Sequence, residues 1–248
     1  MELNDIFLQL DLYGYAVLKD PDIDREIIEN LVKSHKVCLK DKCEFADDNY
    51  SGGYLIRWDK TLQNNKFNKK HLKDFIESKL ISSITKSDRF KNYELNSVFA
   101  TLDKPKTKHI AQDPHFDRIP VLKFMLYLND MDEKNGAFTL SPSSHSWVKK
   151  EFPLPRPPFM STKYFKQTRQ IPSVILQKLS PVCGKAGTLI IFDTDTIHHQ
   201  GLVFDGESRI IRFHFCPPGR LNKFYSLRER LGTYIKPYKS KFKKLFLK

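Results

Sequence analysis

The stretch GTLIIFDTDTIHHQGLVFDGESRIIRFHF, residues 187–215, decides the fold expected for this chain. It contains an apolar run that begins at Gly187, a short segment that includes His198, and a third run that includes Arg209. Short apolar runs separated by turn residues are typical of antiparallel strands. The stretch therefore predicts three strands in succession.

Three more segments with strand character precede this stretch: NSVFATLDK, PVLKFMLYLND and GAFTLSP.

Before residue 95 the pattern is helical. Apolar residues recur at helical spacing over 3–12, 22–35 and 69–87, and the short strand GYAVL lies between the first two stretches. Asp22 is the expected N-cap of the second helix, and Gly52 and Gly53 predict a turn in an irregular polar stretch. Helices followed by strands predict an α+β fold, an antiparallel β-sandwich or barrel closed by N-terminal helices.

The length suits one domain over residues 1–235, with a mostly helical cover (1–94), a β-rich core (95–216) and a basic tail (236–248). Hydrophobic residues make up 40% and aromatic residues 12% of the chain, which is enough to pack a globular core. We therefore expect a folded protein.

The formal net charge of +13 is concentrated at the C-terminus. Residues 220–248 carry ten Lys or Arg and one acid, Glu229, so most of the excess lies there. The basic tail is interpreted as a solvated terminus, with peripheral contact to anionic lipid as the alternative and a nucleic-acid role as a third option. The body of the chain gives no reason to expect nucleic acid.

The location expected for the chain is cytoplasmic. It has no run of about 20 apolar residues that could cross a bilayer, and its N-terminus lacks the pattern of a secretory signal. The four cysteines form no CxxC pair and are expected to be reduced thiols.

The motif that carries chemistry is the H-x-D of His115 and Asp117. Residues two apart in a strand project to the same face, so an imidazole and a carboxylate would converge there. Two His and one carboxylate are the ligand set of non-haem Fe(II) oxygenases. H-x-D alone occurs by chance, but a second His is available at His198 or His199, and Arg209 follows His198 by eleven residues.

Together these segments resemble the phytanoyl-CoA dioxygenase-like family of Fe(II)/2-oxoglutarate oxygenases. The matching motifs are Q-x-x-H-x-D, the segment NGAFTLSPSSH and GTLIIFD-x(4)-H-x-x-G-x(7)-R. The resemblance covers about residues 96–215. It implies a double-stranded β-helix (jelly-roll) core, with His115, Asp117 and His198 as iron ligands and Arg209 as the residue that binds 2-oxoglutarate.

The activity that the resemblance implies is a dioxygenase that uses Fe(II), 2-oxoglutarate and O2. It would hydroxylate or otherwise oxidise an unactivated C–H bond of a small or carrier-linked substrate, with succinate and CO2 as co-products. Basic residues in the expected lid segments 47–58 and 152–170 suggest an anionic group on the substrate. These are Arg57, Arg156, Lys163, Lys166 and Arg169.

Other polar residues near the motif are secondary candidates. His198 is preferred to His199 because strand neighbours point to opposite faces and because the spacing to Arg209 fits the family pattern. Hydrogen bonds to the ligands or to 2-oxoglutarate are expected from the secondary candidates: Gln112, Lys123, Tyr127 and Gln200. Arg212, three residues after Arg209, is expected on the opposite strand face in an outer ion pair.

Two alternatives to this activity stay open. One is a β-sandwich that binds a ligand or a partner without catalysis. The other is an AlkB-like nucleic-acid demethylase, which would require two arginines six residues apart after the distal His, whereas this chain has Arg209 and Arg212.

Overall fold

The N-terminal part of the protein is helical, as the sequence predicts. The computed structural model describes residues 2–40, 52–57, 69–107, 110–154, 156 and 170–216. Four helices precede the main strands: α1 (Leu3–Tyr13), α2 (Arg25–Lys40), α3 (Lys69–Glu77) and α4 (Lys79–Thr85). Helix α1 ends at Gly14, whose φ of 83° is a left-handed conformation that glycine adopts without strain.

Two antiparallel sheets follow. Their strands are β1 (Tyr15–Leu18), β2 (Gly52–Arg57), β3 (Glu94–Asp103), β4 (Leu122–Tyr127), β5 (Thr139–Leu140), β6 (Ser180–Pro181), β7 (Leu189–Asp193), β8 (His198–His199) and β9 (Ser208–Cys216). The larger sheet has the order β1-β7-β4-β9-β3-β2, and the smaller sheet has the order β6-β5-β8. Two short helices, α5 (Ser144–Glu151) and α6 (Ser173–Leu176), lie between β5 and β6 in sequence.

The larger sheet is buried on both faces. One face packs against α1 to α4 through a row that includes Phe124, Leu126, Ile211 and Phe213. The other face meets the smaller sheet through a second cluster that includes Met125, Tyr127, Phe138 and Ile190. The prediction of an α+β sandwich with helices on one face is confirmed, and the space between the sheets is the interior in which the site lies.

Two local predictions were wrong. Gly52 and Gly53 begin strand β2 and pair with β3 instead of forming a turn. The second helix begins at Arg25, where the backbone N–H of Glu26 donates to the Asp24 carboxylate at 2.8 Å, so Asp24 and not Asp22 provides the N-terminal side-chain acceptor. A carboxylate directly before the first turn reaches the free N–H groups more easily.

Several predicted features lie outside the described residues, namely the basic tail 236–248 and most of both lid segments. Among the helices that the structure describes, none is both long enough and apolar enough to cross a membrane.

Candidate metal centre

Three side chains from two separate parts of the sequence, the H-x-D motif and the segment around His198, converge between the two sheets. The ligand atoms of His115, Asp117 and His198 all lie within 4.8 Å of one another. His115 and His198 are paired across an isolated antiparallel bridge, with N···O distances of 3.0 and 2.8 Å. The backbone N–H of Asp117 donates to Thr194 O at 3.0 Å. The H-x-D motif is therefore held against the segment that carries the distal His and does not lie within a continuous strand.

The two imidazoles are oriented for metal binding by their own backbone neighbours. Nδ1 of His115 lies 2.7 Å from Asp113 O, and Nδ1 of His198 lies 2.7 Å from Thr196 O. Because a carbonyl oxygen can only accept, each Nδ1 must carry the proton, and each Nε2 keeps a free lone pair. Burial lowers the pKa of both histidines, so both are neutral near pH 7.

Asp117 supplies the negative charge of the cluster. Its Oδ2 accepts from the Lys123 ammonium at 2.7 Å, and its Oδ1 lies 3.9 Å from Nε2 of His198. Burial alone would raise the pKa of Asp117, but attraction to the Lys123 ammonium outweighs it and holds the pKa well below its ordinary value. Two neutral nitrogen donors and one ionised carboxylate fit a divalent cation such as Fe(II).

His199 does not join this cluster. It pairs with Thr139 on the neighbouring strand, and its Nδ1 lies 3.0 Å from Gln200 O. The structure thus brings His198 and not its neighbour to the cluster, as strand alternation predicts.

The interior face of strands β4 and β9 is cationic beside the cluster. Lys123 is paired in register with His214, and Met125 with Arg212. Arg212 is only 9% exposed, and its Nη2 donates to the side-chain oxygen of Gln200 at 3.0 Å. Among the described residues, Nε of Arg212 has no hydrogen-bond partner. A buried cation with unused donor capacity can bind an anionic group brought into the interior.

Arg209 lies elsewhere. Strand alternation places it on the other face of β9, and its guanidinium contacts the Glu207 carboxylate and Nδ1 of His35 on α2, the latter at 3.5 Å. The structure does not bring it to the metal cluster, and the prediction of Arg212 in an outer ion pair was wrong. The inference that the two arginines occupy opposite faces was right, but the faces were assigned in reverse.

The remaining secondary candidates occupy different surroundings. The Tyr127 hydroxyl donates to Val182 O at 2.8 Å and accepts from Phe138 N at 3.0 Å, so the main chain uses its donor and one acceptor position. The side chain of Gln112 donates to Thr107 O at 3.0 Å. Gln200 is buried and donates to Gly136 O at 2.8 Å, which orients its oxygen toward Arg212. Of the four, Lys123 contacts a ligand and Gln200 contacts the interior arginine.

Aromatic rings close the site around His198. The ring centroids of Phe192 and Phe138 lie 5.1 and 5.6 Å from the imidazole centroid. The site therefore has an apolar wall, formed by Phe192 of β7 in the larger sheet and by Phe138, which precedes β5 of the smaller sheet. Its polar wall is formed by Lys123, Arg212 and His214.

Comparison with known proteins identifies a family whose sequence model matches most of the chain. The sequence model of the family Phytanoyl-CoA dioxygenase (PhyH) matches residues 15–201. A search of curated proteins gives no match.

Several solved structures share the fold. AviO1 from Streptomyces viridochromogenes Tue57 is 16% identical, with a TM-score of 0.57 over 88% of this chain and 96% of that chain. EctD from S. alaskensis with bound Fe is 13% identical, with a TM-score of 0.60 over 88% of this chain and 77% of that chain. The epimerase SnoN in complex with Fe3+, alpha ketoglutarate and nogalamycin RO is 15% identical, with a TM-score of 0.64 over 87% of this chain and 83% of that chain. At these identities the likeness establishes the common fold, and the predicted jelly-roll class is confirmed.

Proposed function

Because the chain belongs to the phytanoyl-CoA dioxygenase (PhyH) family, we propose that it oxidises a C–H bond of a small or carrier-linked substrate, with iron and 2-oxoglutarate as its cofactors. The observation that carries the proposal is the convergence of His115, Asp117 and His198 beside a buried cationic wall. A non-catalytic sandwich has no need for this ligand set, which is costly to bury.

His115 and His198 would hold iron(II) through Nε2, and Asp117 would hold it through a carboxylate oxygen. When bound, iron and 2-oxoglutarate together supply the activation of O2 that oxidation of an unreactive C–H bond requires, and 2-oxoglutarate leaves as succinate and CO2. The protein contributes the orientation of the three ligands, which the carbonyls of Asp113 and Thr196 fix.

We assign the distal carboxylate of 2-oxoglutarate to Arg212 instead of Arg209. Arg212 lies on the interior face of β9 and has unused donors, whereas Arg209 is neutralised by Glu207 on the opposite face. A guanidinium binds a carboxylate through two parallel hydrogen bonds, which suits a fixed dicarboxylate. Lys123, paired with Asp117, adds a second positive charge to the same wall.

The apolar wall around His198 limits the access of water to the reacting groups. Phe138 and Phe192 are 3% and 0% exposed, so the side of the site that they form is shielded from bulk solvent. Exclusion of water protects a reactive oxidising site and strengthens its ionic interactions. The choice of substrate rests with loops around this site, as in other scaffolds of this type.

Succinate formation tests the proposal. Purified protein supplied with Fe(II), 2-oxoglutarate and O2 should release succinate slowly without substrate and faster with a substrate from a panel of small hydroxylatable metabolites. His198→Ala should abolish this release, whereas His199→Ala should retain it, since His199 lies outside the cluster. Succinate release that persists in His198→Ala would contradict the proposal.

A further inference from the structure

Arg156 is a buried arginine that the proposed chemistry does not use. It lies in the segment that follows α5, and its side chain is 1% exposed. Its Nε donates to Phe152 O at 2.9 Å, and its Nη1 donates to Asp117 O and to Asp195 Oδ1, both at 2.7 Å. A single guanidinium is therefore bonded to three separate parts of the chain.

Two of these parts carry metal ligands. Asp117 is itself a member of the cluster, and Asp195 precedes His198 by three residues in the turn after β7. The Asp117 N–H also donates to Thr194 O at 3.0 Å. Arg156 thus bonds both the Asp117 carbonyl and Asp195, which lies in the turn that leads to His198. The backbone N–H of Asp117 is bonded to Thr194 of that same turn.

The guanidinium also packs on the residue between the two proximal ligands. Its carbon lies 5.0 Å from the centroid of the Phe116 ring, which is 1% exposed. Phe116 lies on the side of the motif away from the cluster, with Val148 and Ile197. On the side away from the cluster, the Arg156 guanidinium therefore contacts both the backbone of the H-x-D motif and its central side chain.

A buried ion pair is an expensive way to gain stability. Asp195 is only 2% exposed, and the cost of removing two charges from water offsets much of their attraction. A planar group with several donors in fixed directions is suited to holding three acceptors in a defined relative position, which a lysine ammonium on a flexible stem does less well. The bonding of Arg156 therefore favours a role in positioning the backbone of Asp117 and not in stabilising the fold alone.

We propose that Arg156 is a positioning residue, which orients the Asp117 carboxylate because one guanidinium bonds both the Asp117 carbonyl and the Asp195 carboxylate. The inference rests on the proposed function. It requires that iron binding, and not only folding, depend on Arg156.

Arg156→Gln is the main test, with Arg156→Lys as the conservative variant. Lys149→Gln is the matched control, because it removes a more exposed ion pair with Asp193, the last residue of β7 and two residues before Asp195. Thermal unfolding establishes that each variant is folded, and anaerobic titration with Fe(II) alone and then with 2-oxoglutarate gives iron affinity and the visible charge-transfer absorbance. Steady-state succinate release separates kcat from KM for 2-oxoglutarate.

We expect Arg156→Gln to raise the dissociation constant for Fe(II) by about 10-fold or more, the usual effect of removing a group that orients a ligand. The visible band should shift and kcat should fall, while KM for 2-oxoglutarate changes little, because Arg212 is untouched. Arg156→Lys should recover only part of the loss, and Lys149→Gln should behave as the wild type.

Asp195→Asn keeps the shape of the partner while removing its charge, so it serves if Arg156→Gln does not fold. It should also weaken iron binding several-fold. A folded Arg156→Gln or Asp195→Asn protein with wild-type iron affinity and an unshifted band would overturn this inference alone. A wild-type protein that fails to bind Fe(II) would overturn both the proposed function and the inference.

Discussion

Arg212 and Gln200 are joined by a buried hydrogen bond of 3.0 Å between Nη2 and Oε1. Gln200 follows the distal ligand His198 by two residues, and its own amide nitrogen is held by Gly136 O at 2.8 Å. The metal-ligand segment and the interior arginine are therefore connected through one side chain. This connection places the arginine of β9 at a fixed position relative to the cluster.

The first prediction concerns the co-substrate. Arg212→Gln should raise KM for 2-oxoglutarate by about 10- to 100-fold, because a charge-assisted hydrogen bond contributes roughly 1.5–3 kcal/mol. Arg209→Gln is the control and should change KM by less than about 3-fold, since Arg209 contacts Glu207 and His35. Succinate release measured against 2-oxoglutarate concentration gives KM for each variant and so distinguishes the two arginines. The opposite pattern, with Arg209 controlling KM, would restore the assignment made from sequence spacing.

The second prediction treats Tyr127 as a structural residue. Its hydroxyl bonds Val182 O and Phe138 N, so Tyr127→Phe leaves one buried and one partly buried backbone group without these partners. The free energy of unfolding should fall by about 1–3 kcal/mol, with KM for 2-oxoglutarate unchanged. Urea denaturation and succinate kinetics on the same samples provide the measurement. A raised KM without loss of stability would instead place Tyr127 in the co-substrate site.

The third prediction concerns the end of α1. Gly14 has a φ of 83°, and a Cβ there would lie 2.2 Å from Thr196 Oγ1 and 2.6 Å from His145 Nδ1. Gly206 is the matched control, because its φ of 72° is also left-handed but a Cβ there would meet only Asn135 Cβ at 3.8 Å. Gly14→Ala should lower the unfolding free energy by at least about 2 kcal/mol and Gly206→Ala by about 1 kcal/mol. Equal losses in urea denaturation would show that the contact of α1 with the turn before His198 is unimportant.

The fourth prediction is a dependence of stability on pH through His35. Burial lowers the pKa of His35 from 6.5 to about 4. Between these values the unfolded chain binds the proton and the folded protein does not, so this contribution is complete above the unfolded pKa and is lost as the pH falls toward 4.

Chemical denaturation at several pH values compares the wild type with His35→Gln. From about pH 7.5 to about pH 4.5 the wild type should lose roughly 2–3 kcal/mol more than the variant. The variant retains a donor for Thr101 O, to which Nε2 of His35 is bonded at 3.0 Å. Parallel stability curves for the two proteins would show that the pKa of His35 is the same in the folded and unfolded states, which would contradict the prediction.

Much of the fold could be predicted from local patterns. Helical spacing located α1 and α2, and it predicted one helix over 69–87 where the structure has two, α3 and α4, divided at Ser78. Apolar runs located β3, β4, β7 and β9. Strand β2 could not be found in this way, because Gly52 and Gly53 are poor strand formers and their pairing with β3 is decided by tertiary contacts. The two-residue strand β6 is too short to show any period.

The convergence of the candidate metal cluster could be predicted from the motif spacing, but its surroundings could not. His115, Asp117 and His198 are brought together as the motif spacing indicates. The interior arginine could not be identified correctly, because each of the two faces of the strand SRIIRFHF carries one arginine and at least one apolar residue. Packing against the helices decides which of the two faces is interior. The partnership of Arg156 with Asp195 joins residues far apart in sequence, and no local pattern could reveal it.

The most direct test of the account is the binding of Fe(II) and 2-oxoglutarate under anaerobic conditions. The wild-type protein should bind one Fe(II) per chain and develop a visible charge-transfer absorbance when 2-oxoglutarate is added, and His198→Ala should lose both while His199→Ala keeps both. A wild-type protein that binds no Fe(II), or that binds it equally well without His198, would contradict the claim that His115, Asp117 and His198 form the metal centre of an oxygenase.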